Sequence, residues 1–263
     1  MAKKDNLLVI TPSATGKLDA ETTNSFRMCL SKEQQGEVMA DYAFNKANVK
    51  KMAILYPDSD TNAKAIVDSF IKSYEKAGGS VVLCEIYDNT TENVLDNIQV
   101  SLESVVNSEI NMIFAPVDSR EATNICKVMQ EQNYKFSIIG CDGWQSMVST
   151  IEDNTVIDGI VFFSQFANSS NSEAVSSFIK EYKAAYIEEP DMYAANAYDS
   201  VFAIVKAAED MQSIDSKEII AGIKNIEFDG ITGTSINFEY NGENGKSVEL
   251  LKIKNGRNVP LDI

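Results

Sequence analysis

The sequence predicts an α/β protein in which helices cover both faces of a parallel sheet. Two observations predict it. Short, continuously apolar segments recur along the first 160 residues, and most are followed by a segment with apolar residues at helical spacing. Strands buried on both faces carry continuous apolar residues, and they occur where helices connect parallel strands. The length of 263 residues allows one large domain or two smaller ones.

The alternation of strands and helices is regular up to about residue 164. The clearest of the helices spans 65–77, because its apolar residues recur at spacings of three and four and Gly78 follows it. The predicted strands of this part of the chain are 7–10, 51–56, 81–87, 111–116, 136–140 and 160–163.

The pattern changes in the last hundred residues, where helices predominate. They are predicted at about 172–187, 191–212 and 216–226. Two strands follow, at 234–240 and 247–254, and the segment between them is rich in Asn and Gly, which is typical of a hairpin turn.

Composition excludes several classes of function. The chain has 39 acidic and 23 basic residues, a formal charge of −16, which argues against binding to nucleic acid or to an anionic membrane surface. It has no histidine, so catalysis by a Ser-His-Asp or Cys-His group and a histidine metal site are excluded. The four cysteines form no C-x-x-C motif, and we expect Cys84, Cys126 and Cys141 to be buried free thiols. We predict no metal and no cofactor.

Targeting signals are not evident in the sequence. No apolar run approaches the roughly 20 residues of a membrane span. The segment Met1–Asn6 lacks the apolar core of a signal peptide, so we expect either a cytoplasmic protein or the mature or trimmed form of an exported one.

Polar turns follow the predicted strands, where open α/β sheets bind their ligands. Ser13 and Thr15 place hydroxyls beside backbone N–H groups, which suits a carboxylate or a phosphate, although a turn that caps a helix fits equally well. Asp142 lies close to the only tryptophan, Trp144. This pair suits an ammonium group, and the alternative is an Asp-Gly turn with Trp144 in the core.

Several segments together resemble one known family. They are Ile10–Thr15, Lys51–Asp60 and Ile139–Trp144, with further similarity at 191–199 and 228–233. In this order and spacing they resemble the type I periplasmic solute-binding proteins of the branched-chain amino-acid receptor (Leu/Ile/Val-binding) family. The similarity runs from about residue 7 to the end of the chain.

The resemblance implies two α/β lobes that close on a small solute. The turn that contains Ser13, Ala14 and Thr15 would bind the ligand α-carboxylate. Asp142 would bind the α-ammonium group, and Trp144 would line the pocket. The family usually has aromatic residues near the positions of Thr61 and Asp118. Both are small and polar here, so we expect an amino acid or a similar small polar solute rather than a branched aliphatic one.

The resemblance also implies that the first lobe is incomplete, because family members begin with further strand–helix units. We predict that residues 1–30 and 165–230 form this incomplete lobe. Residues 31–164 and 231–263 are predicted to form a complete one. An exposed strand edge in the incomplete lobe favours association, so we expect a homodimer.

The function predicted is that of a non-enzymatic solute-binding component of an ABC transporter. Its intact parent would be periplasmic or anchored to the cell surface and would deliver its ligand to the transporter permease. The alternative is the ligand-binding sensory domain of a receptor or regulator with the same fold. A carboxylate-based hydrolase is a third class, which the wide separation of the acidic residues supports poorly.

Overall fold

The structure is a computed structural model that describes residues 2–5, 7–18, 23–108, 110–168, 172–238 and 242–261. The helices are α1 (Ala2–Asp5), α2 (Lys32–Asp41), α3 (Thr61–Ala77), α4 (Val94–Val106), α5 (Ser119–Glu131), α6 (Met147–Thr150), α7 (Glu173–Tyr186), α8 (Met192–Met211) and α9 (Ser216–Ile223). The strands are β1 (Val9–Thr11), β2 (Ser25–Arg27), β3 (Lys51–Pro57), β4 (Ser80–Tyr87), β5 (Met112–Ala115), β6 (Ser137–Gly140), β7 (Val161–Ser164), β8 (Glu227–Phe228), β9 (Ile236–Asn237), β10 (Glu249–Lys254) and β11 (Arg257–Pro260). None of the helices in these ranges is long and apolar enough to cross a membrane.

The chain divides into two compact units, each built from two separate segments. Unit 1 comprises Met1–Ser31 and Gln165–Glu249, and unit 2 comprises Lys32–Ser164 and Leu250–Ile263. The sequence predicted that the chain enters the larger lobe again at residue 231. In the structure, the residues from 231 to 249 lie instead in unit 1.

Local contacts explain why these residues belong to unit 1. Strand β9 pairs antiparallel with β8. Lys246 is buried, and its Nζ donates hydrogen bonds of 2.9 Å to Asn196 Oδ1 and Thr232 Oγ1. Phe238 packs edge-on against Phe26 of β2, with ring centroids 5.4 Å apart. The segment 239–241, which the sequence predicted to end one strand and begin a turn, lies outside the described residues.

Unit 2 is the parallel α/β arrangement that the sequence predicts. Its sheet has seven strands in the order β11-β10-β7-β6-β5-β3-β4. The pairs among β3, β4, β5, β6 and β7 are parallel, so their carboxyl ends lie along one edge. Strands β3 and β7 are buried almost throughout, which confirms that continuous apolar runs mark central strands here.

The helix limits in unit 2 follow from local capping. Helix α3 begins after Asp60, whose Oδ1 accepts hydrogen bonds from the backbone N–H groups of Asn62 (2.8 Å) and Ala63 (3.0 Å). It ends at Gly78, which adopts a φ of 104° and supplies the left-handed cap that the sequence indicates.

Two predictions for the edges of this sheet are wrong. Strand β4 lies at one edge and alternates between exposed and half-buried residues, so Cys84 is exposed and only Cys126 and Cys141 of the three thiols are buried. The hairpin at the end of the chain joins β10 to β11 through Asn255 and Gly256, whose φ values are 52° and 68°. Among the described residues, one isolated bridge, Thr234 to Ser247, joins the predicted strands near 234–240 and 247–254.

Unit 1 has less sheet and more helix. Strands β1 and β2 form a two-stranded parallel sheet, and β8 and β9 form a two-stranded antiparallel one. Its larger core joins β2 to helices α8 and α9 through Phe26, Ala203, Ile223 and their neighbours. A smaller core lies between α7 and the first turns of α8. Leu8 and Ile10 pack on the larger core, whereas Leu7 and Val9 are exposed, so the prediction that 7–10 is buried on both faces is wrong.

Candidate ligand-binding site

The turn that follows β1 is open to solvent. We call Thr11–Gly16 the 11–16 turn. Ser13 and Ala14 are exposed and Thr15 is half-buried. The backbone N–H of Ala14 donates a 3.0 Å hydrogen bond to Thr11 Oγ1, which closes the turn on itself. The hydroxyls of Ser13 and Thr15 are thus held on a compact loop at the carboxyl end of a strand, where the sequence placed them.

A buried arginine that sequence reasoning missed supports this turn. Arg27 on β2 is fully buried. Its guanidinium forms an ion pair with Glu243 (Nε to Oε2, 2.8 Å; Nη2 to Oε1, 3.1 Å). It also donates to the carbonyl oxygens of Ala14 (from Nη1, 2.6 Å) and Gly16 (from Nη2). The ion pair with Glu243 offsets part of the cost of burying the charge, and the hydrogen bonds of Nη1 and Nη2 orient the guanidinium.

The backbone around Arg27 is fixed as well. Its N–H donates to the carbonyl of Gly242 (2.8 Å), and the side-chain amide of Asn244 donates to the carbonyl of Cys29 (2.8 Å). Gly242 has a φ of 81°, and a Cβ there would lie 2.0 Å from the carbonyl oxygen of Ser25. Glycine is therefore required at this position, because any side chain would push the segment 242–244 away from β2.

Cys29, like Arg27, contacts the 11–16 turn from beneath. Its Sγ lies 3.5 Å from the carbonyl oxygen of Ala14. Burial raises the pKa of the Cys29 thiol, an effect that Arg27 and Lys246 partly oppose. The thiol therefore stays protonated and can donate to this carbonyl.

In unit 2, three of the predicted site residues follow neighbouring strands. Thr61 begins α3 after β3, Asp118 caps α5 after β5, and Asp142 follows β6. Since β3, β5 and β6 are adjacent and parallel, these residues share one edge of the sheet. Thr61 and Asp118 are exposed and Asp142 is half-buried. Asp118 Oδ1 accepts the N–H of Glu121 (2.9 Å), so part of its carboxylate caps a helix.

Asp142 lies in a tight turn that directs the chain into Trp144. Its Oδ1 accepts the N–H of Gly143 (2.9 Å), and Gly143 has a φ of 94°, a conformation that favours glycine. A half-buried carboxylate at this edge is chemically suited to an ammonium group.

Trp144 has a packing role rather than the pocket-lining role that we expected. Its side chain is fully buried, and its Nε1 donates a 2.7 Å hydrogen bond to the carbonyl of Val117. The indole lies against Phe162 (6.3 Å between centroids) and over Gly140, where a Cβ would lie 2.1 Å from the ring. Trp144 thus ties the ends of β5 and β6 together beneath Asp142, and it presents no exposed ring for a cation.

A buried carboxylate at the same edge was also missed. Glu121 is buried, accepts a hydrogen bond from the hydroxyl of Tyr87 (2.7 Å), and lies 3.3 Å from Asn89 Nδ2. Burial, together with the hydrogen bond and charge of Glu121, raises the pKa of Tyr87 above its usual range, which keeps the hydroxyl a donor. Arg120, which is exposed, pairs weakly with Glu121, at 3.9 Å.

These features define a class of protein. Each unit carries polar turns at the carboxyl ends of its strands, in a chain without histidine, which suits binding of a small polar molecule rather than histidine-based chemistry. The periplasmic binding protein family matches this chain over residues 1–258, and the chain belongs to that family. Its fold is that of the type I periplasmic binding proteins, whose members bind solutes and are not enzymes.

Relatives and solved structures agree with this assignment. The Leu/Ile/Val-binding protein homolog 3 of Brucella melitensis is 24% identical over 220 residues, which are 83% of this chain and 58% of that protein. The branched-chain amino acid substrate-binding protein of Streptococcus pneumoniae, solved with isoleucine, is 26% identical, with a TM-score of 0.77 over 99% of this chain and 74% of that one. A solute-binding protein from R. palustris, solved with benzoate, is 19% identical, with a TM-score of 0.79 over 99% of this chain and 71% of that one. The chain thus spans little more than half the length of the Brucella protein.

Proposed function

We propose that this chain is the solute-binding component of an ABC transporter and that its ligand is an amino acid or a similar small polar solute. The observation that carries the proposal is the 11–16 turn, an open, hydroxyl-bearing loop held from beneath by a buried arginine. Membership of the periplasmic binding protein family supports it. The protein would lie outside the cytoplasm and deliver its ligand to a permease.

The 11–16 turn would bind the carboxylate of the ligand. The Streptococcus protein was solved with isoleucine and the R. palustris protein with benzoate. These two ligands have a carboxylate in common and differ in the ammonium group. A carboxylate-binding turn is therefore the feature of this chain that either kind of ligand would use.

Asp142 would select ligands that carry an ammonium group. A ligand such as benzoate has no positive group with which the Asp142 carboxylate could pair, whereas the ammonium group of an amino acid would form an ion pair with it. Trp144 would act indirectly, by fixing the backbone from which Asp142 projects. Thr61 and Asp118 are exposed polar residues on the same edge and would face a polar ligand side chain better than an aliphatic one.

Unit 1 would associate with a second copy of the chain. Helix α8 exposes a stripe of Tyr198, Val201, Phe202 and Val205, at the spacing of one helical face. A cavity of about 250 Å³ adjoins it, lined in part by Phe178, Tyr198 and Phe202. Asp199 is the only charged residue between Met192 and Val205, and it is buried. In a chain of charge −16, this face is one where two copies could meet without strong repulsion.

The size of the stripe favours a weak homodimer. Its four side chains are between 43% and 61% exposed. The largest apolar patch of a typical monomer covers about 300–600 Å², so two faces of that size would bury at most the roughly 1,200 Å² at which stable interfaces begin. Polar surface around the stripe would supply the rest, so we expect association at micromolar concentrations.

The ligand proposal is tested by isothermal titration calorimetry with L-glutamine and L-isoleucine. The Asp142→Asn variant keeps the shape of the side chain and removes the charge. We expect it to weaken binding by about 30-fold or more, because a buried charged contact loses one partner. Asp153→Asn is the matched control, since Asp153 also accepts a backbone N–H in a turn of unit 2. Equal affinity of the wild type and Asp142→Asn would remove Asp142 from the site.

A further inference from the structure

The contacts of Arg27 determine which way the peptide groups of the 11–16 turn point. The carbonyl oxygen of Ala14 accepts from Nη1 at 2.6 Å, and that of Gly16 accepts from Nη2. In a planar trans peptide, the N–H of the next residue points opposite to the carbonyl. With these two carbonyls directed at the guanidinium, the N–H groups of Thr15 and Lys17 must point away from it.

This orientation gives the turn the character of an anion site. The two outward N–H groups, of Thr15 and Lys17, present partly positive hydrogens on the side of the turn away from the guanidinium. Thr15 adds a hydroxyl beside its own N–H, and the guanidinium lies behind the turn. Glu243 neutralises part of the guanidinium charge from the other side, so the effect of Arg27 on the turn is mainly geometric.

Only arginine has the donors for this arrangement. Nη1 donates to one carbonyl, Nη2 donates to the other carbonyl and to Glu243 Oε1, and Nε lies 2.8 Å from Glu243 Oε2. A lysine at this position would carry the charge on one atom, and it could not reach the carboxylate and both carbonyls in this planar geometry. The chain has three arginines, and this one is fully buried.

We propose that Arg27, held in place by Glu243, is the positioning residue of the carboxylate site. It directs the carbonyls of Ala14 and Gly16 inward, and the N–H of Thr15 thereby faces the ligand carboxylate. The proposal rests on the function proposed above. It adds that recognition of the carboxylate depends on an ion pair between residues 216 positions apart in the sequence.

The first test needs no ligand. It measures the ¹H–¹⁵N heteronuclear NOE of the backbone in the wild type, Arg27→Met, Arg27→Lys and Glu243→Gln. We expect values at Ser13–Lys17 to fall in Arg27→Met, to fall less in the other two variants, and to stay unchanged at Asp118. Arg120→Met is the control for loss of an arginine, because Arg120 is exposed. An unchanged NOE at Ser13–Lys17 in Arg27→Met would overturn the proposal, whatever the protein binds.

The second test separates positioning of the turn from general loss of structure. It compares the affinity for L-isoleucine with that for L-isoleucinamide, which lacks the carboxylate. Arg27→Met should weaken binding of isoleucine by about tenfold to 100-fold and leave the amide nearly unaffected, because only the carboxylate uses the turn. Equal loss for both ligands would overturn the proposal.

The two tests also distinguish this proposal from the proposed function. If the wild type binds neither compound, the function is wrong for these ligands and the NOE measurement alone decides the role of Arg27. If Arg27→Met does not fold, as circular dichroism would show, Arg27→Lys and Glu243→Gln carry both measurements with the same expected directions.

Discussion

The two units of this chain are stabilised by different kinds of contact. Unit 2 surrounds a seven-stranded sheet with helices, and strands such as β7 are completely buried. Unit 1 has two sheets of two strands, an exposed apolar residue on β1 and an uncovered stripe on α8. It depends on specific polar contacts, above all the pair Arg27–Glu243 and the contacts of Lys246. The difference indicates that the polar network matters most where the apolar core is small.

The largest effect is expected from removing Trp144, the largest fully buried side chain among the described residues of unit 2. Trp144→Ala should lower the free energy of unfolding of this unit by about 3–5 kcal/mol, because a fully buried indole is lost and its cavity is only partly refilled. Urea unfolding followed by far-UV circular dichroism measures this. Val100→Ala on the exposed face of α4 is the control and should change little. A loss below about 1 kcal/mol for Trp144→Ala would contradict the packing role described here.

A smaller difference is expected between the stabilities of the units. Cys29 in unit 1 and Cys126 in unit 2 are both 2% exposed, so each thiol reacts only when its own unit opens. Pulsed alkylation over a urea series, read by mass spectrometry, should label Cys29 at a urea concentration about 1 M lower than Cys126. Cys84 is exposed and should react without urea. Labelling of Cys126 at a lower urea concentration than Cys29 would show that unit 2 is the less stable unit and would contradict the prediction.

The smallest effect concerns association. Val201→Glu places a charge in the stripe of α8 and should weaken the homodimer by about tenfold or more, since charge is then buried against a second copy. Val100→Glu is a closely matched control, because Val100 is 65% exposed on a helix of unit 2 and Val201 is 61% exposed. Sedimentation velocity over a concentration series measures both. A wild-type chain that stays monomeric at high concentration and moderate salt would exclude the homodimer.

The sequence predicts unit 2 well because the relevant signals are local. The apolar run of β3 and the Gly78 cap of α3 each lie within the element that they define. The final hairpin had a local signal too, the Asn255–Gly256 pair, which is a strong predictor of a two-residue turn. The hairpin was predicted instead at the Asn- and Gly-rich segment between 240 and 247.

The candidate site is predictable only in part, for a physical reason. Ser13, Thr15 and Asp142 could be proposed because each follows a strand. The ion pair that shapes the turn joins Arg27 to Glu243, 216 positions away, and no local pattern reports such a contact. The local sequence left both a core position and a pocket wall open for Trp144, and the family resemblance favoured the pocket wall.

The central proposal is that the 11–16 turn binds the carboxylate of a small amino acid. The most direct measurement is a titration of the ¹⁵N-labelled chain with L-glutamine and, separately, L-isoleucine, followed through backbone amide shifts. The account predicts that the amides of Ser13–Gly16 shift in one saturable transition for at least one of these amino acids. Shifts confined to the cavity beside α8, or no shifts at millimolar ligand, would contradict it.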